Sequence, residues 1–133
     1  MKTADTSVLV ASFATWHERH DVARAAAATT DSVIGHVATE TYSVLTRLPD
    51  PHRAPASVVA DWLEQRLSHP VLTLDGTDVI ASIRHLAAAG VRGGATYDGL
   101  IALTAAAADA TLVTLDRRAV ITYERLGVAH ELI

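Results

Sequence analysis

Four acidic residues, Asp5, Glu40, Asp98 and Asp116, stand at junctions between runs of apolar sequence, where elements start or end. Each alone has an ordinary role. A carboxylate at a strand-to-helix junction satisfies free backbone N–H groups, and one near a helix N-terminus complements the helix dipole. Together they imply chemistry, because carboxylates that meet repel one another unless they share protons or bind a divalent cation. The chain has no cysteine, so any cation must be held by oxygen or imidazole. An all-oxygen set suits Mg²⁺ or Mn²⁺. Asp5 poses the question most sharply, since MKTADTSVLV heads into the core and a buried carboxylate without partners is costly. It is either the cap of the next helix or one part of a charged site.

Other chemistries are poorly supported. His17 and His20, spaced three apart, share a face in a helix expected over residues 17–28, but no third ligand is evident and HExxH is absent. They read as a solvated face. The GVRGG stretch at residues 90–94 is neither a dinucleotide loop nor a lysine-bearing phosphate loop, and supplies flexibility ahead of Asp98. Tyr97 reads as a packed loop aromatic, with base stacking as the alternative. The net charge of -4 argues against a nucleic-acid partner at face value. That argument weakens if the acids sit together and a metal neutralises them.

The elements that must position the acids follow from local pattern. Residues 2–5 form a short strand, and SVLVASF begins a helix capped by Asp5 or Thr6. A strand over residues 32–36 precedes a helix from Val37 that ends before Pro49. SVVADWLEQRL is a helix with Val58, Trp62 and Leu63 on its apolar face. VLTL at 71–74 is a strand, followed by a helix with Thr77 as cap and Gly90 as terminator. A helix over residues 98–108, the β-branched strand 110–116, the helix in RRAVITYERLG and a closing strand in VAHELI complete the order. Strands alternating with helices imply a parallel sheet covered on both faces, with functional residues beyond the carboxyl ends of its strands. Asp5 and Asp116 then share one sheet edge.

The 133 residues fit one domain, and a composition 50% hydrophobic but only 5% aromatic predicts an aliphatic, alanine-rich core. Val37, Val44 and Leu45 are assigned to it. Lys2 followed by an apolar run superficially resembles an export signal, but Asp5 interrupts it. No stretch approaches the roughly 20 apolar residues that span a membrane. A cytoplasmic protein is expected.

The strings ADTSVLVA at residues 4–11, ETYSVLTRLP at 40–49, YDGLIALTA at 97–105 and ATLVTLDRRA at 110–119 resemble the PIN-domain ribonucleases, specifically the VapC-type toxins of bacterial toxin–antitoxin modules. The resemblance runs nearly end to end, although residues 50–93 match only in outline. It implies a single PIN-like domain over residues 1–133 with a three-layer α/β fold, its central, mostly parallel sheet of four to five strands flanked by helices. It implies that Asp5, Glu40, Asp98 and Asp116 are the catalytic acidic quartet of a Mg²⁺- or Mn²⁺-dependent endoribonuclease. On that basis Asp5 and Asp98 are direct metal ligands, and Glu40 and Asp116 bind directly or through water. Thr6 and Thr114 orient water or a carboxylate from behind them. Arg92, Arg117 and Arg118 flank the proposed cluster and are candidate RNA-phosphate contacts, with solvated or acid-balancing arginines as the alternative. Partners implied are a cognate VapB-type antitoxin, an RNA substrate and a second copy of the chain in a homodimer, with no membrane. The competing expectation is a catalytically weak or inactive module that acts by binding an antitoxin in a promoter-repressing complex. Response-regulator receivers and haloacid-dehalogenase-like phosphatases fit less well, since both call for a late lysine and Lys2 is the only lysine among 11 cationic residues. The phosphatase pattern also wants an acid where Ser7 stands.

Overall fold

The computed structural model describes residues 1–133, the side chain of Leu67 excepted. The chain alternates as expected: β1 (Lys2–Ala4), α1 (Thr6–Phe13), α2 (His20–Ala27), β2 (Val33–Ile34) and α3 (Gly35–Arg47) come first. Then follow α4 (Ala56–Glu64), a 3-10 turn at Gln65–Ser68, β3 (Val71–Leu72), α5 (Gly76–Ala88), α6 (Ala95–Ala107), β4 (Thr111–Thr114), α7 (Arg117–Arg125) and β5 (His130–Leu132).

Every strand pairing is parallel, as short strands joined by helical crossovers require. The strands form a three-stranded sheet in the order β1-β4-β5 and a two-stranded sheet of β2 and β3, where the sequence predicts one sheet of four to five. The two abut at β1 and β2. Asp31 N–H and Ser32 Oγ both donate to Lys2 O, at 3.0 and 3.1 Å, and Thr3 Oγ1 donates to Ser32 O at 3.3 Å.

β4 sits at the centre of its sheet, and its TLVT sequence explains why. Leu112, Val113 and Thr114 are all buried, as a central parallel strand demands. The core around it is aliphatic: Val8, Leu9, Ile34, Val37, Ile101, Leu112 and the alanines of α1, α2 and α6 pack as one cluster, with Tyr123 its largest member. Val37 and Leu45 are buried as predicted, whereas Val44 is only part-buried.

Several boundaries differ from expectation in ways that matter for the acids. α3 starts at Gly35, so Glu40 lies in its second turn rather than its first. α6 starts at Ala95, after a loop in which Gly90 and Gly93 adopt positive φ, so Asp98 lies within an established first turn. Its neighbour Gly99 is required by packing, since a Cβ there would collide with Leu86 Cδ2 of α5. Asp75, not Thr77, caps α5 by accepting from Asp78 N–H at 2.9 Å. On α4 it is Val59 that is buried, while Val58 is exposed. α2 begins at His20, so His17 lies in the preceding turn and the two histidines do not share a helix face. Among the described residues, no helix is long and apolar enough to cross a membrane.

Candidate active site

At the carboxyl ends of β1 and β4 the chain turns directly into helices, and both turns are made by aspartates. Asp5 caps α1, its Oδ1 accepting from Val8 N–H at 3.3 Å. Asp116 caps α7, its Oδ1 accepting from Arg118 N–H at 2.8 Å. The parallel pairing of β1 and β4 places these ends side by side. α3 contributes Glu40 and α6 contributes Asp98, and all four carboxylates line one open groove of ≈ 660 Å³. The sequence-predicted quartet is thus brought together from four separate elements.

The environments of the four differ. Asp5 is 3% exposed, and burial raises its pKa. Hydrogen bonds from Ser7, Thr114, Tyr123 and the Val8 backbone oppose that rise. Ser7 Oγ donates to Asp5 Oδ1 at 2.5 Å, and Tyr123 Oη donates to Oδ2 at 2.9 Å. Asp98 has its pKa raised to about 6, first by burial and then by the carboxylates of Asp116, Asp5 and Glu40. Glu40 is a third exposed, with Oε2 3.5 Å from His36 Nε2.

Of the two predicted supporting threonines, Thr114 is fully buried, and its Oγ1 accepts from Asp116 N–H at 2.9 Å, fixing the turn that carries that acid. Thr6 lines the groove, but its buried Oγ1 has no hydrogen-bond partner among the described residues. The role expected of Thr6 is filled toward Asp5 by Ser7, whose Oγ also accepts from Leu115 N–H at 2.9 Å and lies 3.4 Å from Thr114 Oγ1. Ser7 thereby ties the β1 turn to the β4 turn. Of the predicted arginines, Arg117 and Arg118 line the groove. Arg92 does not: it lines a separate depression between α5 and the start of α6, beside Ile83, Leu86 and Thr96. Arg19, from the turn before α2, takes a place on the groove wall.

Ser7, Tyr123 and Arg19 escaped the sequence reading. A signal existed for two of them. A cap carboxylate lies over the first helical turn, so a hydroxyl two positions on is within its reach, and a tyrosine on the buried stripe of α7 must find a partner for its hydroxyl.

In donor type the residues fit a hard divalent cation: the four predicted carboxylates with Glu18 as a fifth on the groove lining, a threonine hydroxyl unpartnered among the described residues, and no sulfur. Among the described residues no three carboxylates or imidazoles close on a common point, so the acids face one another across the groove without forming a tight cage. Their mutual repulsion at Asp98 shows that they nevertheless share one field.

A parallel α/β sheet whose strand ends deliver aspartates to a common acidic groove defines the class, and the chain belongs to the PIN domain family, which matches residues 3–125. It is 52% identical over 133 residues to Ribonuclease VapC40 of Mycobacterium tuberculosis, covering 100% of this chain and 99% of that protein, in the CDC 1551 / Oshkosh and H37Rv strains alike. It is 41% identical over 125 residues to Ribonuclease VapC27 of Mycobacterium tuberculosis H37Rv, covering 93% of this chain and 90% of that protein.

Proposed function

We propose that this chain is a metal-dependent endoribonuclease that cleaves RNA phosphodiester bonds as the toxin of a type II toxin–antitoxin system, restrained by a cognate VapB-type antitoxin. It works as one PIN-like domain over residues 1–133, in the cytoplasm and as a homodimer. The observation that carries the proposal is the meeting of Asp5, Glu40, Asp98 and Asp116 in one groove, with Asp98 lifted to about 6 by burial and by the other three. Structural carboxylates are normally spread apart or paired with cations, and a cluster held at this electrostatic cost is characteristic of a functional site. The full-length identity to proteins named ribonucleases supports the same reading.

Asp5 and Asp98 would hold Mg²⁺ or Mn²⁺ directly, with Glu40 and Asp116 directly or through water. An ion held there would supply a lowered pKa for coordinated water and charge stabilisation at the scissile phosphate. The protein's own contribution is placement. Ser7 and Tyr123 fix both oxygens of Asp5, and Thr114 fixes the turn that presents Asp116. Arg19, Arg117 and Arg118 on the groove wall bind RNA phosphates flanking the cut.

The test compares wild type with Asp5→Asn and Asp98→Asn in Mg²⁺. Cleavage of cellular RNA should be lost in both variants while circular dichroism shows the fold retained. Equal cleavage by all three proteins would end the nuclease assignment.

A further inference from the structure

The groove has an acidic floor, so an RNA strand entering it meets repulsion there and must be gripped at the margins. Three arginines supply part of that grip. Trp16, in the turn between α1 and α2, offers the rest. It is 47% exposed, an unusual position for the largest apolar side chain in a protein with only two tryptophans. Its ring stacks on His52, from the loop after α3, with centroids 4.0 Å apart and planes 29° from parallel. The ring of His17, the next residue, lies 5.9 Å away and is tilted by 41° rather than stacked. His17 and Arg19 both line the acidic groove, so the tryptophan stands one ring from its wall.

The turn is held firmly. His17 N–H donates to Ala14 O, His20 N–H to His17 O and Arg19 N–H to His17 Nδ1, each at 3.0 Å. His20 Nδ1 lies 2.8 Å from Ala11 O, tying the far side of the turn to α1. An exposed indole on a braced turn, backed by one imidazole and followed three residues later by a groove arginine, has the composition of a stacking ledge for single-stranded nucleic acid. There an aromatic face takes a base and a neighbouring cation takes its phosphate. Stacking is indifferent to the negative floor, which makes it the suitable grip at an acidic site. Two other aromatics are exposed near groove acids, Tyr42 on α3 and Tyr97 beside Asp98, but neither has a groove arginine on its own turn; the Tyr97 ring lies parallel to His36 at 6.0 Å.

We propose that Trp16, backed by His52 and accompanied by Arg19, is a ledge on which an unpaired base of the RNA substrate stacks beside the cleavage groove. The proposal rests on the ribonuclease reading and names how that site selects its substrate: a splayed, single-stranded nucleotide next to the scissile bond.

The experiment uses the full chain carrying Asp98→Asn, which removes cleavage, and follows intrinsic fluorescence while single-stranded RNA of about ten nucleotides is added in Mg²⁺, a length within the span of single-strand sites. The other tryptophan, Trp62, is engaged by Phe13 edge-on at 5.3 Å and by the Arg66 guanidinium at 4.4 Å, so quenching by a stacked base reports on Trp16. Expected are strong quenching, its loss in Trp16→Ala, and affinity weakened roughly five- to hundredfold in that variant, the range of one aromatic–base stack. Trp16→Phe, which keeps a π-face, should recover most of the affinity. In the cleaving chain Trp16→Ala should raise KM, with kcat retained. RNA binding that leaves Trp16 fluorescence and affinity unchanged, in a chain whose Asp98 form cleaves RNA, overturns the ledge and leaves the nuclease reading standing. Loss of antitoxin binding with unchanged RNA affinity in Trp16→Ala overturns it too, reassigning the surface to a protein partner. Failure of wild type to cleave RNA defeats the reading beneath it.

Discussion

At the scale of single residues, Asp5 does two jobs with one carboxylate. It caps α1 through Val8 N–H and belongs to the acidic groove, and it remains 3% exposed while doing so. The site depends on donors that hold its charge in place. Tyr123 is the most informative of them, because it comes from the opposite end of the chain and is itself fully buried. Burial and the Asp5 charge push the tyrosine's own pKa well up, so it stays protonated and always donates. Tyr123→Phe removes only the hydroxyl, and should cost about 1.5–3 kcal/mol where Asp5 is ionised, the range for a hydrogen bond to a charged group. The sign with pH follows from Asp5, whose folded pKa lies above the ordinary 3.8. Removing a donor raises it further, so the deficit is full where Asp5 is ionised and shrinks as pH falls and it protonates. Urea unfolding of both proteins at neutral and acidic pH measures it. A deficit equal at both would mean that the hydroxyl merely fills space.

At the scale of elements, the groove exists because β1 and β4 run parallel and end together, and β4 is the strand on which that depends. Leu112 is completely buried at its centre, paired in register with Thr3 and His130 on either side. Leu112→Ala should destabilise the protein by about 2–5 kcal/mol through lost burial and the cavity left behind. Thermal unfolding reads it directly; a cost under about 1 kcal/mol would show that β4 is not the pillar of the sheet. The same strand shows why much of the fold is legible in the sequence. ATLVTLD is a short apolar, β-branched run that ends in a capping acid, so its type, direction and capped end are all written locally. β2 and β3 are two residues each and carry no such pattern; their junction with the main sheet is made by Asp31 N–H and by the Thr3 and Ser32 hydroxyls, contacts between distant residues that no local pattern signals. Starts of α3 and α6 were misplaced for a related reason: both begin at glycine-containing turns, where no side chain signals a cap. Of the quartet, Asp5 and Asp116 are legible because they stand at strand ends and Asp98 because it falls in a helix's first turn, whereas Glu40, in the second turn of α3, is placed by the resemblance. Arg19 was not legible, because its place on the groove wall comes from the packing of α1 against α2 and not from any spacing in the chain.

At the scale of the whole molecule, folding brings together four acids that the unfolded chain keeps far apart, so stability, pH and divalent cations must be linked. The folded pKa of Asp98 is about 6, against 3.8 for an ordinary aspartate. Between those values the folded state holds a proton that the unfolded state has released, so stability falls as pH rises from about 4 to about 6 and the penalty is complete above that. Asp98→Asn removes the charge and with it the penalty. Without metal, then, the variant should melt above wild type at pH 7.5, and the difference should close toward pH 4. If the acids hold a divalent cation as proposed, its addition should reverse the order, because it would favour the folded state only where the carboxylates are ionised and assembled. At roughly a hundredfold excess over Kd it adds about 2.7 kcal/mol to wild type, a rise of several degrees in Tm, and adds much less to the variant. The same addition at pH 5, where Asp98 is largely protonated, should give only a small shift. Calorimetric scans of both proteins at pH 4, 5 and 7.5, in chelator and in Mg²⁺ or Mn²⁺, therefore predict a crossover: the variant above wild type in chelator at pH 7.5, and below it with metal. Parallel curves that never cross would mean that the four carboxylates are neighbours without forming one cation site.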